Sequence, residues 1–175
     1  YRLAQFEAHD MIAGRLAPEL GGSPDKLDIV GMNFYPDNQW VLGAGAIPMG
    51  HHDYRPFREM LKETAERYGR PVIVSEMGAE GTARPAWLHY VAGEIAAARK
   101  QGVDVQGACL YPIIDYPGWE NDRRCEVGLF GGADPNGRRV VYEPLAEELA
   151  RWRAVFETDL TVGADRVVPL RREAS

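Results

Sequence analysis

Residues 71–78 read Pro-Val-Ile-Val-Ser-Glu-Met-Gly. Three β-branched apolar residues in a row are too few for a helix and lack the alternation of a strand with one wet face. The pattern is that of a short strand buried on both sides, as in parallel sheets covered by helices. That strand runs straight into Glu76. A carboxylate there is costly to bury unless something pairs with it or donates to it. Glu76 is therefore either a strand-terminal acid capping the next loop or a working carboxylate, and the pattern leaves both open. Tyr35 ends another strand-like run and carries a phenolic O–H suited to hold it.

The chain around this strand alternates in type. Residues 2–16 place Phe6, His9, Ala13 and Leu16 on one helical stripe, and Leu20-Gly21-Gly22-Ser23-Pro24 breaks it. Leu27 to Tyr35 is strand-like, Pro36 ends it, and a Gly-rich loop runs from Asp37 to His52. Asp53 is the expected N-cap of a helix with Pro56 in its first turn. Phe57, Met60, Leu61, Thr64 and Tyr68 form its core-facing stripe, and Gly69 closes it. A third helix opens at Pro85, with Leu88, Val91, Ala92 and Ile95 on one face and Arg99 and Lys100 in the last turn. Val105 to Tyr111 is the third strand, expected to continue through Pro112 to Asp115. A loop from Tyr116 to about Val140 precedes a last helix marked by Leu145, Leu149, Trp152 and Phe156. Residues 1–160 make one domain in this reading, and 161–175 a polar tail.

Parallel strands separated by amphipathic helices fit an open doubly wound sheet or part of a (β/α)8 barrel. A whole barrel needs eight strands and roughly 250 residues, and this chain has 175. The dinucleotide fingerprint is missing, because Gly43-Ala44-Gly45 lacks the third glycine and lies far past its strand. No Gly-x-Ser-x-Gly elbow supports a serine hydrolase.

The charge excludes further classes. With 20 Lys and Arg against 26 Asp and Glu, the net charge of −6 argues against nucleic-acid or anionic-membrane partners. No run of 18 apolar residues is present to span a bilayer. The first residues, Tyr-Arg-Leu-Ala-Gln-Phe, contain neither an initiating Met nor a signal-peptide core, as expected of a processed chain or one cut from something longer. Two cysteines, Cys109 and Cys125, are too few for a disulfide framework and suggest a cytoplasmic location with both thiols free. Cys109, in an apolar run, is expected to be buried.

In parallel α/β folds, working residues gather at the C-terminal ends of strands. Those ends carry Asn33-Phe34-Tyr35, Ser75-Glu76 and Tyr111…Asp115, with Trp119-Glu120-Asn121 just beyond. Together with Ile29 to Tyr35, Pro71 to Gly78 and Gly102-Val103-Asp104-Val105-Gln106-Gly107, these segments resemble the C-terminal half of family 1 glycoside hydrolases, the β-glucosidase family. Tyr111 to Trp119 looks like a divergent copy of that family's last strand motif, and Val127-Gly128-Leu129-Phe130 is similar to the segment after it. The resemblance spans about residues 1–155. It implies the C-terminal portion, about strands six to eight, of a (β/α)8 TIM barrel, and a retaining glycosidase.

On that resemblance Glu76 is the nucleophile and Tyr35 supports it, while Asn33, Tyr111, Trp119 and Glu120 belong to the substrate site. The implied ligand is a carbohydrate, with no cofactor and no metal. The departures are specific. Met77 stands beside the nucleophile where the family has an amide, Gly118 falls where it has a sugar-binding glutamate, and Tyr111 replaces its strand-eight tryptophan. Glu120, two positions on, is the nearest substitute for that glutamate. The family's acid/base lies in an Asn-Glu-Pro motif that this chain lacks. Strands one to five are then missing, the sheet has two open edges, and the chain alone is expected to be inactive.

Two rival readings follow from other residues. One is a carbohydrate-binding barrel segment without turnover, suggested by Gly118 and the missing acid/base. The other is a metal-dependent barrel hydrolase using His51, His52 and Asp115, although adjacent residues rarely both point into one coordination sphere. His9 and His89 read as filler on helices. The Arg123-Arg124 and Arg138-Arg139 pairs read as solvated loop charges, or as partners for an acidic sugar.

Overall fold

The structure is a computed structural model that describes residues 2–163. After a 3-10 turn at Ala4–Phe6 come α1 (Glu7–Ile12), two more 3-10 turns at Pro18–Leu20 and Pro24–Lys26, β1 (Val30–Phe34), and a small hairpin of β2 (Trp40–Val41) and β3 (Gly45–Ala46). Then follow α2 (Phe57–Tyr68), β4 (Val72–Met77), α3 (Ala83–Lys100) and β5 (Val105–Leu110). Two further hairpins, β6 (Tyr116–Pro117) with β7 (Arg124–Cys125) and β8 (Phe130–Ala133) with β9 (Arg139–Val141), lead into α4 (Glu143–Gly163). Most of the expected tail lies outside the described residues.

β1, β4 and β5 form a parallel sheet in the order β1-β4-β5, so β4 is central and the other two are its edges. The fold is α/β, as the alternation of segments implies. Val30, Phe34, Val72, Val74, Met77 and Val105 are buried in one core cluster with Phe57 and Leu61 of α2, Trp87, Leu88, Val91 and Ile95 of α3, and Leu145 of α4. The rings of Phe34 and Phe57 stack at 4.0 Å between centroids. The other face of the sheet differs from the expectation of strands covered on both sides. Gly31, Asn33, Gln106 and Ala108 are exposed, and Ile73, Ser75 and Glu76 are half-buried.

Several boundaries move for identifiable reasons. The first helix is shorter than residues 2–16 because Gly14 takes φ +70° and Gly22 packs under the end of α1. A Cβ on Gly22 would fall 1.9 Å from the Met11 carbonyl oxygen, and Leu16 is left exposed. Asp53 is not the N-cap of α2; Pro56 is. A residue before proline is pushed out of helical geometry, so the helix cannot begin earlier. α3 starts two residues before Pro85, which then sits in the first turn, where an absent N–H costs nothing. β5 ends at Leu110 instead of running to Asp115, since Pro112 has no N–H to donate. The expected loop 116–140 holds two hairpins. Cys109 is exposed on the edge strand, while Cys125 is buried; both thiols are free.

Candidate active site

β4 delivers Glu76 to the C-terminal end of the sheet, where Asn33 of β1 is its register partner. The ladder shifts register between Met32 and Asn33, and the chain leaves β1 at Tyr35. Tyr35 Oη donates to Glu76 Oε2 at 2.8 Å. A tight turn fixes Tyr35: its N–H donates to Asn38 Oδ1 at 2.7 Å, and the Asn38 N–H donates back to its carbonyl at 3.1 Å. Burial pushes the Tyr35 phenol well above its ordinary value, and the bond to Glu76 adds to this. The group is therefore a proton donor at neutral pH. Both residues are half-buried, so the carboxylate is less enclosed than the sequence suggests, yet it is held. Beside it, Ser75 Oγ donates to Asn33 Oδ1 at 2.8 Å, which ties the ends of β1 and β4 together.

Tyr111 also reaches this end of the sheet. Its N–H donates to the Met77 carbonyl at 2.9 Å, and its own carbonyl lies over Gly78. A Cβ at position 78 would stand 2.1 Å from that oxygen and 3.7 Å from Tyr35 Cε1, so only glycine lets these strand ends approach. After burial and the bond to Glu76, the phenols of Tyr111 and of Tyr116, which the sequence reading passed over, add a smaller upward push on the Tyr35 phenol. The signal for Tyr116 was its place one residue beyond Asp115, where the sequence pattern ends the third strand.

The remaining expected residues stand apart. Trp119 is 86% exposed, which excludes a role as a core anchor. Glu120 is exposed on the same β6–β7 connection. Among the described residues, neither forms a hydrogen bond or ring contact with Tyr35 or Glu76. At Gly118 a Cβ would meet Asn121 Oδ1 at 2.8 Å, so the turn is built around a missing side chain.

Asp115 is a structural clasp. Its buried carboxylate accepts the Gly128 N–H at 2.8 Å and lies 3.8 Å from Arg84 and 3.7 Å from Arg124. Arg84 also donates to the Gly128 carbonyl at 2.6 Å and sits 3.8 Å over the Tyr142 ring. Two guanidiniums beside Asp115 oppose a metal cation, which corrects the ligand set His51, His52 and Asp115. His51 and His52 converge instead on Asp53, with ligand atoms within 4.8 Å of one another, all three exposed. Adjacent side chains do face one another here, contrary to expectation, because the loop turns: the Tyr54 N–H donates to the His51 carbonyl at 2.9 Å and the Asp53 N–H to His51 Nδ1 at 3.1 Å.

The sequence matches no family model and no curated protein. Solved structures do match. The β-glycosidase BGL167 superposes with a TM-score of 0.54 at 21% identity, over 84% of this chain and 36% of its own. The β-glycosidase from the hyperthermophile Thermosphaera aggregans gives 0.52 at 22%, over 69% and 31%. The family 1 β-glucosidase from Thermotoga maritima gives 0.52 at 20%, over 73% and 34%. What they share with this chain is the fold. The chain spans about a third of the length of each. No helix among the described residues is long and apolar enough to cross a membrane.

Proposed function

We propose that this chain is the nucleophile-bearing part of a retaining β-glycosidase related to family 1, contributing about strands six to eight of a (β/α)8 barrel within residues 1–160. The observation that carries the reading is the 2.8 Å bond from Tyr35 to Glu76 at the C-terminal ends of adjacent parallel strands. Barrel enzymes build their sites at that end. The exposed sheet face, with Asn33 and Ser75, then becomes barrel lining once the remaining strands close around it. The fold shared with β-glycosidases supports this, as does the T. maritima β-glucosidase solved in complex with deoxynojirimycin.

In this reading Glu76 attacks the anomeric carbon, the bond to the leaving group breaks, and a covalent glycosyl-enzyme forms. Water then releases the sugar with retention. Tyr35 orients the carboxylate by donating to it while keeping its own proton. Asn33 and Tyr111 face the sugar, and Trp119 and Glu120 close over it from their loop when substrate binds. Protonation of the leaving group needs a second carboxyl about 5 Å away, supplied by the part of the barrel that this chain lacks. The chain alone is therefore inactive, and the two free thiols fit a cytoplasmic setting.

A binding-only segment is the second reading, favoured by Gly118 at the position where the resemblance puts a sugar-binding glutamate. Incubating the full-length protein with a mechanism-based fluorosugar separates the two. Added mass on the peptide holding Glu76 supports the enzyme; tight sugar binding without labelling supports the binding segment.

A further inference from the structure

We infer that Gln39 is a positioning residue, which clamps the loop after β1 to the start of α2 and so holds the Tyr35 hydroxyl on Glu76. Its effect on turnover rests on the proposed glycosidase reading; its hold on Tyr35 does not.

Gln39 is 8% exposed, while its neighbours Asn38 and Trp40 are exposed. A buried amide has to find partners at both its ends. Both belong to Arg55: Gln39 Nε2 donates to the Arg55 carbonyl, and the Arg55 N–H donates to Gln39 Oε1, each at 2.8 Å. A reciprocal pair fixes the side chain in direction as well as in distance. The Gln39 carbonyl in turn accepts the Ile47 N–H at 2.7 Å, which closes the base of the β2–β3 hairpin.

Arg55 is a firm anchor. Its guanidinium donates to Glu63 Oε2 and, at 3.3 Å, to the Glu59 carbonyl, which ties it to the first two turns of α2. Two residues on, Phe57 stacks against Phe34 at 4.0 Å between centroids. The chain is therefore attached to the start of α2 twice, at Phe34 and at Gln39, with Tyr35 between. Pro36, Asp37 and Asn38 are exposed. With the Gln39 end released, that open turn has to hold Tyr35 on its two bonds to Asn38. A phenol displaced by about 1 Å from 2.8 Å no longer makes a hydrogen bond of ordinary length.

The test replaces Gln39 with methionine in the full-length protein, because methionine keeps the length and removes both bonds. Tyrosine labelled with carbon-13 at Cζ reports the ionisation of each phenol by NMR, and Tyr35→Phe identifies the Tyr35 signal. In the native protein that signal should keep its neutral shift to about pH 11, since burial and Glu76 hold the phenol well above 10.0. In Gln39→Met it should titrate close to 10.0. kcat should fall about tenfold or more with KM within about twofold of native, because the substitution loosens a group beside the reacting carboxylate. A variant that is less stable to urea but keeps the native Tyr35 titration overturns the inference, since Gln39 would then support the fold and nothing more. Should the variant not fold, the native protein decides. Its Arg55 N–H should exchange with deuterium about tenfold or more slowly than an open loop amide, and exchange at the open rate would overturn the inference. A moved Tyr35 signal in a protein that the fluorosugar does not label supports the positioning role and sinks the catalytic reading. Labelling, with native turnover and native Tyr35 titration in Gln39→Met, does the reverse.

Discussion

Tyr35 Oη and Glu76 Oε2 stand 2.8 Å apart although 41 residues separate them in the chain. Parallel pairing of β1 with β4 sets Asn33 opposite Glu76, and the turn closed by Asn38 holds the tyrosine just beyond. Burial and the neighbouring carboxylate both disfavour the phenolate.

That relationship has a pH signature. The folded phenol titrates above its ordinary value of 10.0, so its contribution to stability is complete below pH 10 and drains away as pH rises toward the folded value. Urea midpoints of the native protein and Tyr35→Phe should differ by a constant amount from pH 7 to 9, and the gap should narrow above 10. A gap that closes by pH 8 would show that Tyr35 is not held as described.

Asp10 gives the opposite sign. Arg67 donates to both its oxygens and Tyr68 to one, which holds its carboxyl below the usual range despite burial. This stability is present above the ordinary carboxylate value of 3.8 and is lost as pH falls through the lower folded value. Acid unfolding followed by circular dichroism should show Asp10→Asn less stable than the native protein at pH 6, with the difference vanishing at the lowest pH.

Gly78→Ala should destabilise the protein by about 2 kcal/mol, the scale of overpacking at a site with no room. The added carbon would lie 2.1 Å from a backbone oxygen, which cannot swing away as a side-chain tip can. Urea denaturation checks it, and a loss under about 0.5 kcal/mol would be the ordinary surface result.

Asp115→Ala should cost about 2 kcal/mol by the same measurement, because the Gly128 N–H loses a charged acceptor. The two hairpins should become more open to proteolysis, while the core of Phe57 and Leu61 stays intact.

Much of the fold was legible because its signals are local. The stripe from Phe57 to Tyr68 declares a helical period and the unbroken apolar run Val72 to Val74 a strand; Phe57, Leu61, Val72 and Val74 sit in the core, while Ile73 is half-buried. What stayed hidden depends on partners distant in sequence. The Arg84–Asp115–Arg124 clasp joins α3 to the loop before β6 and to strand β7, three places far apart in the chain. The hairpins within 116–140 are only two to four residues per strand, too short for periodicity to register. At the site, Glu76 and Tyr35 could be paired on strand-end logic alone. Tyr116 and the role of Gly78 required the actual approach of β5's end to β4.

The most direct measurement is turnover by the full-length protein carrying Glu76→Gln. If Glu76 forms the glycosyl-enzyme, kcat should fall by about 10⁴-fold or more while sugar binding is nearly preserved, because the substitution removes an interaction made in the transition state. Turnover within about tenfold of the native protein would contradict the account at its centre.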